Sequence, residues 1–240
     1  MATRRKFLQS SLLSSLAVLF GKKASAAAPE YPVVTGNPIV ISTWDAGLNA
    51  NKGAWQILGK GGRALDAVEA GVMVTEAEQS CCVGLGANPD REGIVTLDAC
   101  IMDEFANCGS VAFLERIKHP VSVARRVMEK TPHVMLVGSG AQQFAVAEGF
   151  PLEAQQLSDD AKHAYEEWLK KSEYKPVINI ENSKGHGPFA PEKLEDGSWN
   201  HDTIGMVAMD AMGNLSGSCT TSGMGFKLSL IHISEPTRPY

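Results

Sequence analysis

The chain has 240 residues, 44% of them apolar and 20% charged, with a formal net charge of −5. That balance excludes a disordered or fibrous chain and predicts a buried core in one ordinary domain or two small ones. An acidic chain lacks the electrostatic footprint for nucleic acid or anionic lipid, so neither is expected as a partner.

The first segment stands apart from the fold. Thr3-Arg4-Arg5-Lys6-Phe7-Leu8 is a basic opening, the apolar, serine-broken run from Leu12 to Phe20 is too short to be a permanent membrane span, and Ala24-Ser25-Ala26 is a small-residue cleavage site. Residues 1–26 therefore read as a signal peptide. The adjacent arginines, with Lys22 and Lys23 near the cut, resemble a twin-arginine signal; a general secretory signal is the alternative. Either route predicts a periplasmic or secreted protein with no membrane attachment once the signal is removed. Removal leaves 17 basic against 27 acidic residues, a formal charge of −10.

Along the mature chain, Ile39 to Trp44 has the β-branched density of a strand and ends in Asp45-Ala46-Gly47. Gly62 to Glu76 places Leu65, Val68, Val72 and Thr75 at helical spacing. Gly84, Gly86, Pro89 and Gly93 mark a turn-rich passage, followed by apolar runs at 94–97 and 110–114 that are predicted to pair as antiparallel strands. Helices are predicted over 120–130, 140–148 and 159–171, the last with Glu166–Lys170 and Glu167–Lys171 at i,i+4. Residues 179–200, rich in Gly, Pro, Lys, Glu, Ser and Asn, read as an exposed loop. The runs 204–209 and 215–220 around Gly213-Asn214 predict a β-hairpin.

The five cysteines, Cys81, Cys82, Cys100, Cys108 and Cys219, show no paired metal-ligand spacing, so neither a metal nor a cofactor is expected. An oxidising compartment leaves one disulfide open, although small buried thiols in apolar strands are the favoured reading. Gly138-Ser139-Gly140 lacks the final glycine and the acidic residue of a dinucleotide fingerprint, and a Rossmann fold is rejected.

The junction of the 179–200 loop with the hairpin carries the chemistry. A mid-chain threonine hydroxyl is a weak nucleophile because nothing adjacent takes its proton. A threonine at a new N-terminus has an α-amine on the neighbouring atom, with a pKa of about 7.7–8.0, that can act as base. Alone, Asp202-Thr203 would be an ordinary element boundary, since Asp and Thr commonly cap or end elements.

Several motifs occur in one order between about Pro38 and Lys227. They are Ser42-Thr43-Trp44, Gly61-Gly62-Arg63-Ala64-Leu65-Asp66-Ala67-Val68-Glu69, Pro89-Asp90-Arg91, Thr96-Leu97-Asp98-Ala99-Cys100-Ile101-Met102-Asp103, Met128 to Gly138, His201-Asp202-Thr203-Ile204-Gly205, and Cys219-Thr220-Thr221-Ser222-Gly223-Met224. Together they resemble glycosylasparaginases, which are N-terminal-nucleophile hydrolases. The resemblance implies an α+β fold, the four-layer αββα sandwich of that superfamily, incomplete in this chain. It implies cleavage between Asp202 and Thr203 through an N-to-O acyl shift, with Asp202 assisting. The chain would then divide into 27–202, the α-subunit part, and 203–227, the start of the β-subunit of the same domain.

By the same resemblance, Thr203 is the catalytic nucleophile and Thr221 a catalytic threonine hydrogen-bonding beside it. Trp44 bounds the substrate pocket. Their bland alternatives are a plain strand-end hydroxyl for Thr221 and a core side chain for Trp44. The implied substrate is a small glycosylated asparagine, cut at the amide between N-acetylglucosamine and asparagine. The implied assembly is an α/β subunit pair from one precursor, with a homodimer of such pairs as a further step.

The resemblance stops after Lys227. The family's Gly-Arg-x-Gly-Asp-Ser-Pro stretch, which holds the substrate's α-carboxylate and α-amine, is absent, as is the later Thr-Gly pair of the oxyanion hole. Residues 228–240 read as an artefactual tail, and this chain is expected to be truncated, unstable and inactive. Two other readings stay open: the related isoaspartyl peptidase/asparaginase activity, and an inert secreted fragment in which Thr203 never becomes N-terminal.

Overall fold

The computed structural model describes residues 36–45, 47–78, 83–171 and 203–228. The signal segment, Cys81 and Cys82, the 179–200 loop, Asp202 and the tail beyond residue 228 lie outside the described residues. The elements in chain order are β1 (Ile39–Ser42), α1 (Gly47–Leu58), α2 (Ala64–Ala77), a 3-10 turn (Gly84–Gly86), β2 (Leu97–Met102), β3 (Cys108–Leu114), α3 (Pro120–Lys130), β4 (Met135–Val137), α4 (Gly138–Ala147), α5 (Asp159–Lys171), β5 (Thr203–Met209) and β6 (Leu215–Thr221).

The six strands form one sheet in the order β1-β5-β6-β2-β3-β4. All neighbours are antiparallel except β3 and β4, which run parallel and are joined through α3. Alternation sorts the side chains onto two faces. On one face Ile204, Met206, Ala208, Leu97, Ala99, Ile101, Val111 and Leu114 are buried in a single core with residues of α1 to α4. On the other face Ile39, Ile41, Met102, Val207 and Leu215 remain 47–62% exposed. The described residues are thus a mixed α/β layer pair, compatible with the expected superfamily fold.

Each hairpin is closed by the same five-residue turn, Asp103-Glu104-Phe105-Ala106-Asn107 between β2 and β3 and Asp210-Ala211-Met212-Gly213-Asn214 between β5 and β6. In the first, Asp103 Oδ1 accepts the amides of Phe105 and Asn107 at 2.9 Å each, and Oδ2 accepts the Asn107 side-chain amide at 3.0 Å. In the second, Asp210 does the same with Met212, Asn214 and the Asn214 side chain. The fourth residue takes a left-handed conformation, at φ +62° for Ala106 and +82° for Gly213. Asp103 and Asp210 are held below the ordinary aspartate value: burial works the other way, but the asparagine and backbone hydrogen bonds outweigh it.

The helix α1 escapes a reading of periodicity because Gly47, Asn49, Asn51 and Gly53 are weak helix formers. Packing supplies what propensity does not. A Cβ on Gly53 would lie 2.7 Å from Val74 Cγ2, and one on Gly71 of α2 would lie 2.5 Å from Met206 Sδ and 3.0 Å from the Ala50 carbonyl. The two glycines let α1, α2 and β5 approach more closely than larger residues would.

Other boundaries shift with cause. The strand expected at 94–97 begins at Leu97 instead, because the Asp90 amide donates to the Ile94 carbonyl at 2.8 Å and the Asp90 carboxylate accepts the Ile94 amide at 3.0 Å, bending this stretch into a turn. Its partner starts at Cys108, and β4 was not anticipated. Helices α3 and α5 coincide with their predicted ranges, and α4 covers 138–147 rather than 140–148. In α5 the ion pair is Glu167–Lys170, at i,i+3 rather than i,i+4.

At the C-terminal end of α2, Glu76 is fully buried. Its Oε1 accepts the Val121 amide of α3 at 3.0 Å and the Thr220 hydroxyl of β6 at 2.8 Å, while Oε2 lies 3.2 Å from His119 Nδ1. Burial pushes its carboxyl up, against the pull of those hydrogen bonds. Replacing Glu76 by alanine strands a buried amide and a buried hydroxyl, and is expected to cost about 3 kcal/mol. Glu76→Gln keeps an acceptor for both and is expected to lose about 1 kcal/mol. Urea unfolding of both variants checks this; equal losses would show that the oxygen is not what α3 and β6 require.

Candidate active site

Of the residues singled out from the sequence, Thr203 and Thr221 meet at one end of the open sheet face. Thr203 is the first residue of β5 and Thr221 the last of β6, and the antiparallel register sets them directly opposite. Directly opposite residues share a face and bring their side chains within reach. The Thr203 hydroxyl donates to Thr221 Oγ1 at 3.0 Å, and the Gly223 amide donates to the same Thr221 oxygen at 2.9 Å. Gly223 takes a left-handed φ of +71°, which turns the chain so that its amide reaches back. Both threonines are part-exposed.

The edge strand β1 runs antiparallel to β5, and its C-terminal end lies at the Thr203 end of that strand. Thr43 extends the pairing: its amide donates to the Gly205 carbonyl at 3.0 Å, and its Oγ1 accepts the Gly205 amide at 3.0 Å. The next residue, Trp44, leaves the strand with φ +63°, an outlier for a bulky side chain. Its carbonyl accepts the Gly47 amide at the start of α1. Trp44 is half-buried rather than a core side chain.

A third residue of this row had no role in the sequence reading. Asp98 of β2 lies opposite Thr221 on its other side, so Thr203, Thr221 and Asp98 form one cross-strand row. Asp98 Oδ1 accepts the Phe113 amide at 2.8 Å. That amide is available because the β2–β3 register slips between Leu97 and Ala99, with Phe113 at φ +53°. Burial pushes the Asp98 carboxyl above its ordinary value, opposed by the Phe113 amide and the charge of Lys227. The sequence signal was an acidic residue inside an apolar strand.

Cys100 and Cys219 occupy the next row on the same face, two residues along. Contrary to the expectation of buried thiols, Cys100 is exposed and Cys108 and Cys219 are part-exposed. Among the described residues no group of three or more His, Cys, Asp or Glu side chains could hold a metal ion, and no helix is long and apolar enough to cross a membrane.

The sequence pattern of the family described as asparaginase matches residues 43–229, which span every element from α1 to β6 and all three residues of the row. The chain belongs to this asparaginase family. An N(4)-(beta-N-acetylglucosaminyl)-L-asparaginase of Elizabethkingia miricola is 56% identical over 198 residues, 82% of this chain and 53% of that protein. Proteins of the same name from Rattus norvegicus and Mus musculus are 40% and 39% identical over 215 residues, 82% of this chain in each case. Those matches cover 61% and 62% of the two mammalian proteins, so the chain spans between about half and three-fifths of the curated relatives. The motifs that resemble glycosylasparaginases therefore belong to an enzyme family of that kind.

The raised Asp98 carboxyl has a pH consequence. A group that holds its proton more tightly when folded adds stability at low pH that is lost as pH rises through its folded pKa. Asp98→Asn is expected to gain stability relative to the parent at pH 7 compared with pH 4. Denaturation midpoints at the two pH values test this, and a relative loss at pH 7 would contradict it.

Proposed function

We propose that Thr203 is the nucleophile of a self-cleaving amidohydrolase acting on the amide between N-acetylglucosamine and asparagine. The observation that carries the reading is the 3.0 Å bond between the Thr203 and Thr221 hydroxyls at the first residue of a central strand. In the uncut chain the Thr203 nitrogen is an amide and cannot serve as base. Attack of its hydroxyl on the Asp202 carbonyl, followed by ester hydrolysis, frees the α-amine.

That amine then takes the hydroxyl proton as Oγ1 attacks the substrate carbonyl. The proton passes to the departing glycosylamine, leaving an aspartyl ester on Thr203, and water releases aspartate. Thr221, itself oriented by the Gly223 amide, keeps the Thr203 hydroxyl on the open side of the sheet. Trp44 bounds the substrate and Asp202 assists the self-cleavage. The names of the relatives support the substrate, and the family description supports asparagine-type amides more broadly.

The same reading takes the sheet as one of two central sheets in a four-layer αββα sandwich. Five large apolar side chains on its open face support this, since soluble monomers rarely leave a contiguous patch of that kind uncovered. It further takes residues 1–26 as an export signal, the mature protein as periplasmic or secreted, and its subunits as an α/β pair.

The test is a chimaera in which residues from 229 onward are replaced by the corresponding part of the Elizabethkingia miricola relative. Intact mass is expected to show two fragments meeting at Asp202/Thr203, and Thr203→Ala in the same chimaera to leave one uncut chain. A chimaera that never cuts sinks the proposal. The processed form is expected to hydrolyse glycosylated asparagine, and comparison with a β-aspartyl dipeptide separates it from isoaspartyl peptidase activity.

Thr221→Val, which removes the hydroxyl that positions Thr203, is expected to lower kcat on the order of 10²-fold. The 240-residue chain, with its sheet face open to water, is expected to be slower than the chimaera by at least about 10²-fold, because transition-state dipoles act weakly in a wet site.

A further inference from the structure

The left-handed backbone of Trp44, at φ +63°, is one a bulky residue adopts only where its surroundings impose it. Those surroundings lie on the helix side of the sheet. Along β1 the side chains alternate: Ile39 and Ile41 stay exposed, Val40 packs against the core, and Ser42 faces α1.

Ser42 Oγ lies 2.9 Å from the Gly47 carbonyl oxygen and 2.9 Å from Oδ1 of Asn51, one turn further along α1. Its single proton, given to the Gly47 carbonyl, leaves Oγ to accept from the Asn51 carboxamide, which presents its nitrogen after a half-turn. The approach demands glycine at 47, where a Cβ would sit 2.2 Å from Ser42 Oγ and 3.0 Å from its Cβ. The last residue of β1 is thereby clamped to the first residue of α1. Within the clamp the Trp44 carbonyl accepts the Gly47 amide at 3.1 Å, and Thr43 is fastened to Gly205 by its amide and its hydroxyl.

We propose that Ser42 and Asn51 are positioning residues for substrate binding: by clamping Gly47 to the end of β1 they force the left-handed turn at Trp44 and so set the direction its indole takes. This rests on the reading of Trp44 as a wall of the substrate pocket. A side chain held in place before substrate arrives loses little freedom on binding, so the clamp acts on affinity. It lies between β1 and α1, on the side packed by helices, and is the same whether the opposite face of the sheet is covered or open.

The experiment has two parts. In the 240-residue chain, urea unfolding compares Trp44→Gly with Trp44→Ala. Both lose the indole, so their difference reports the backbone alone. The glycine variant is expected to have the larger folding equilibrium constant by at least about threefold, because the left-handed penalty on alanine outweighs glycine's extra freedom in the unfolded chain. In a Ser42→Ala background the loop relaxes, and the preference is expected to vanish or pass to alanine.

In the chimaera described above, Ser42→Ala and Asn51→Ala are each expected to raise KM for glycosylated asparagine at least about tenfold, with kcat within about threefold of the parent. Added to Trp44→Ala, Ser42→Ala is expected to change KM by less than about twofold, since it acts through the missing indole. A general loosening of the fold would instead add its own loss.

Alanine equal to or better than glycine at position 44 overturns the clamp, and so does a glycine preference that survives Ser42→Ala. An active chimaera whose KM is unmoved by Ser42→Ala, or whose two losses add in full, overturns the positioning role while leaving the Thr203 reading intact. A chimaera that neither cuts nor turns over sinks the Thr203 reading and takes the substrate half of this proposal with it; the glycine comparison still decides the clamp.

Discussion

Glu76 sits at the C-terminal end of α2 with its side chain removed from water, accepting one hydrogen bond from the first turn of α3 and another from the middle of the sheet. A carboxyl in that position is costly wherever its partners are missing, so α2, α3 and β6 are held in one mutual arrangement. Strand β6 accommodates this because its helix-facing side is Ser216, Ser218 and Thr220 rather than large apolar residues. Ser218 adds a bond to the Val68 carbonyl of α2 at 3.2 Å. With Thr220 turned toward the helices, strand alternation turns Thr221 to the opposite face, where it meets Thr203. The hydroxyl pair therefore inherits its orientation from a carboxyl on the far side of the sheet.

This division of labour runs through the whole layer. The inner face supplies packing and the buried polar bonds that pin it, with Arg125 of α3 tying back to Asp66 and Glu69 of α2 at 2.7 and 2.6 Å. The outer face carries the hydroxyls, the raised Asp98 carboxyl, the thiols and the exposed apolar residues. Aromatic packing closes the end near the site: Trp168 of α5 stacks on Phe226 with ring centres 5.3 Å apart, and the Tyr165 hydroxyl donates to the Arg91 carbonyl at 2.9 Å. The turn after β6, from which the Gly223 amide reaches Thr221, is thereby fastened to α5.

How much could be read from the residues alone depended on how local the cause was. Helix α3 was legible because Pro120 opens it and Val121, Ala124 and Val127 recur on one side. The β5–β6 hairpin was legible because apolar runs flank Gly213-Asn214. Helix α1 was not, since Gly53 finds its use only in close packing against Val74 of α2, outside the helix's own sequence window. The start of β2 was misplaced because Ile94 and Val95 look like strand residues while Asp90 holds them in a turn. At the candidate site, the place of Thr203 at the start of a strand was legible from the loop-to-strand junction. Its bond to Thr221 follows once the hairpin register is known. Asp98 and the Cys100–Cys219 pair were hidden, because each depends on β6 lying against β2, more than a hundred residues apart in sequence.

The two five-residue turns have a consequence for how such a chain finds its fold. Because Asp103 with Asn107, and Asp210 with Asn214, each settle their own hairpin within five residues, the offsets of β2 against β3 and of β5 against β6 need no help from distant parts of the chain. The search is left with joining β6 to β2, adding β1 and β4 at the two edges, and seating the helices. A one-residue slip within either hairpin would exchange its inner and outer side chains, so these two short loops decide which residues become core and which become chemistry.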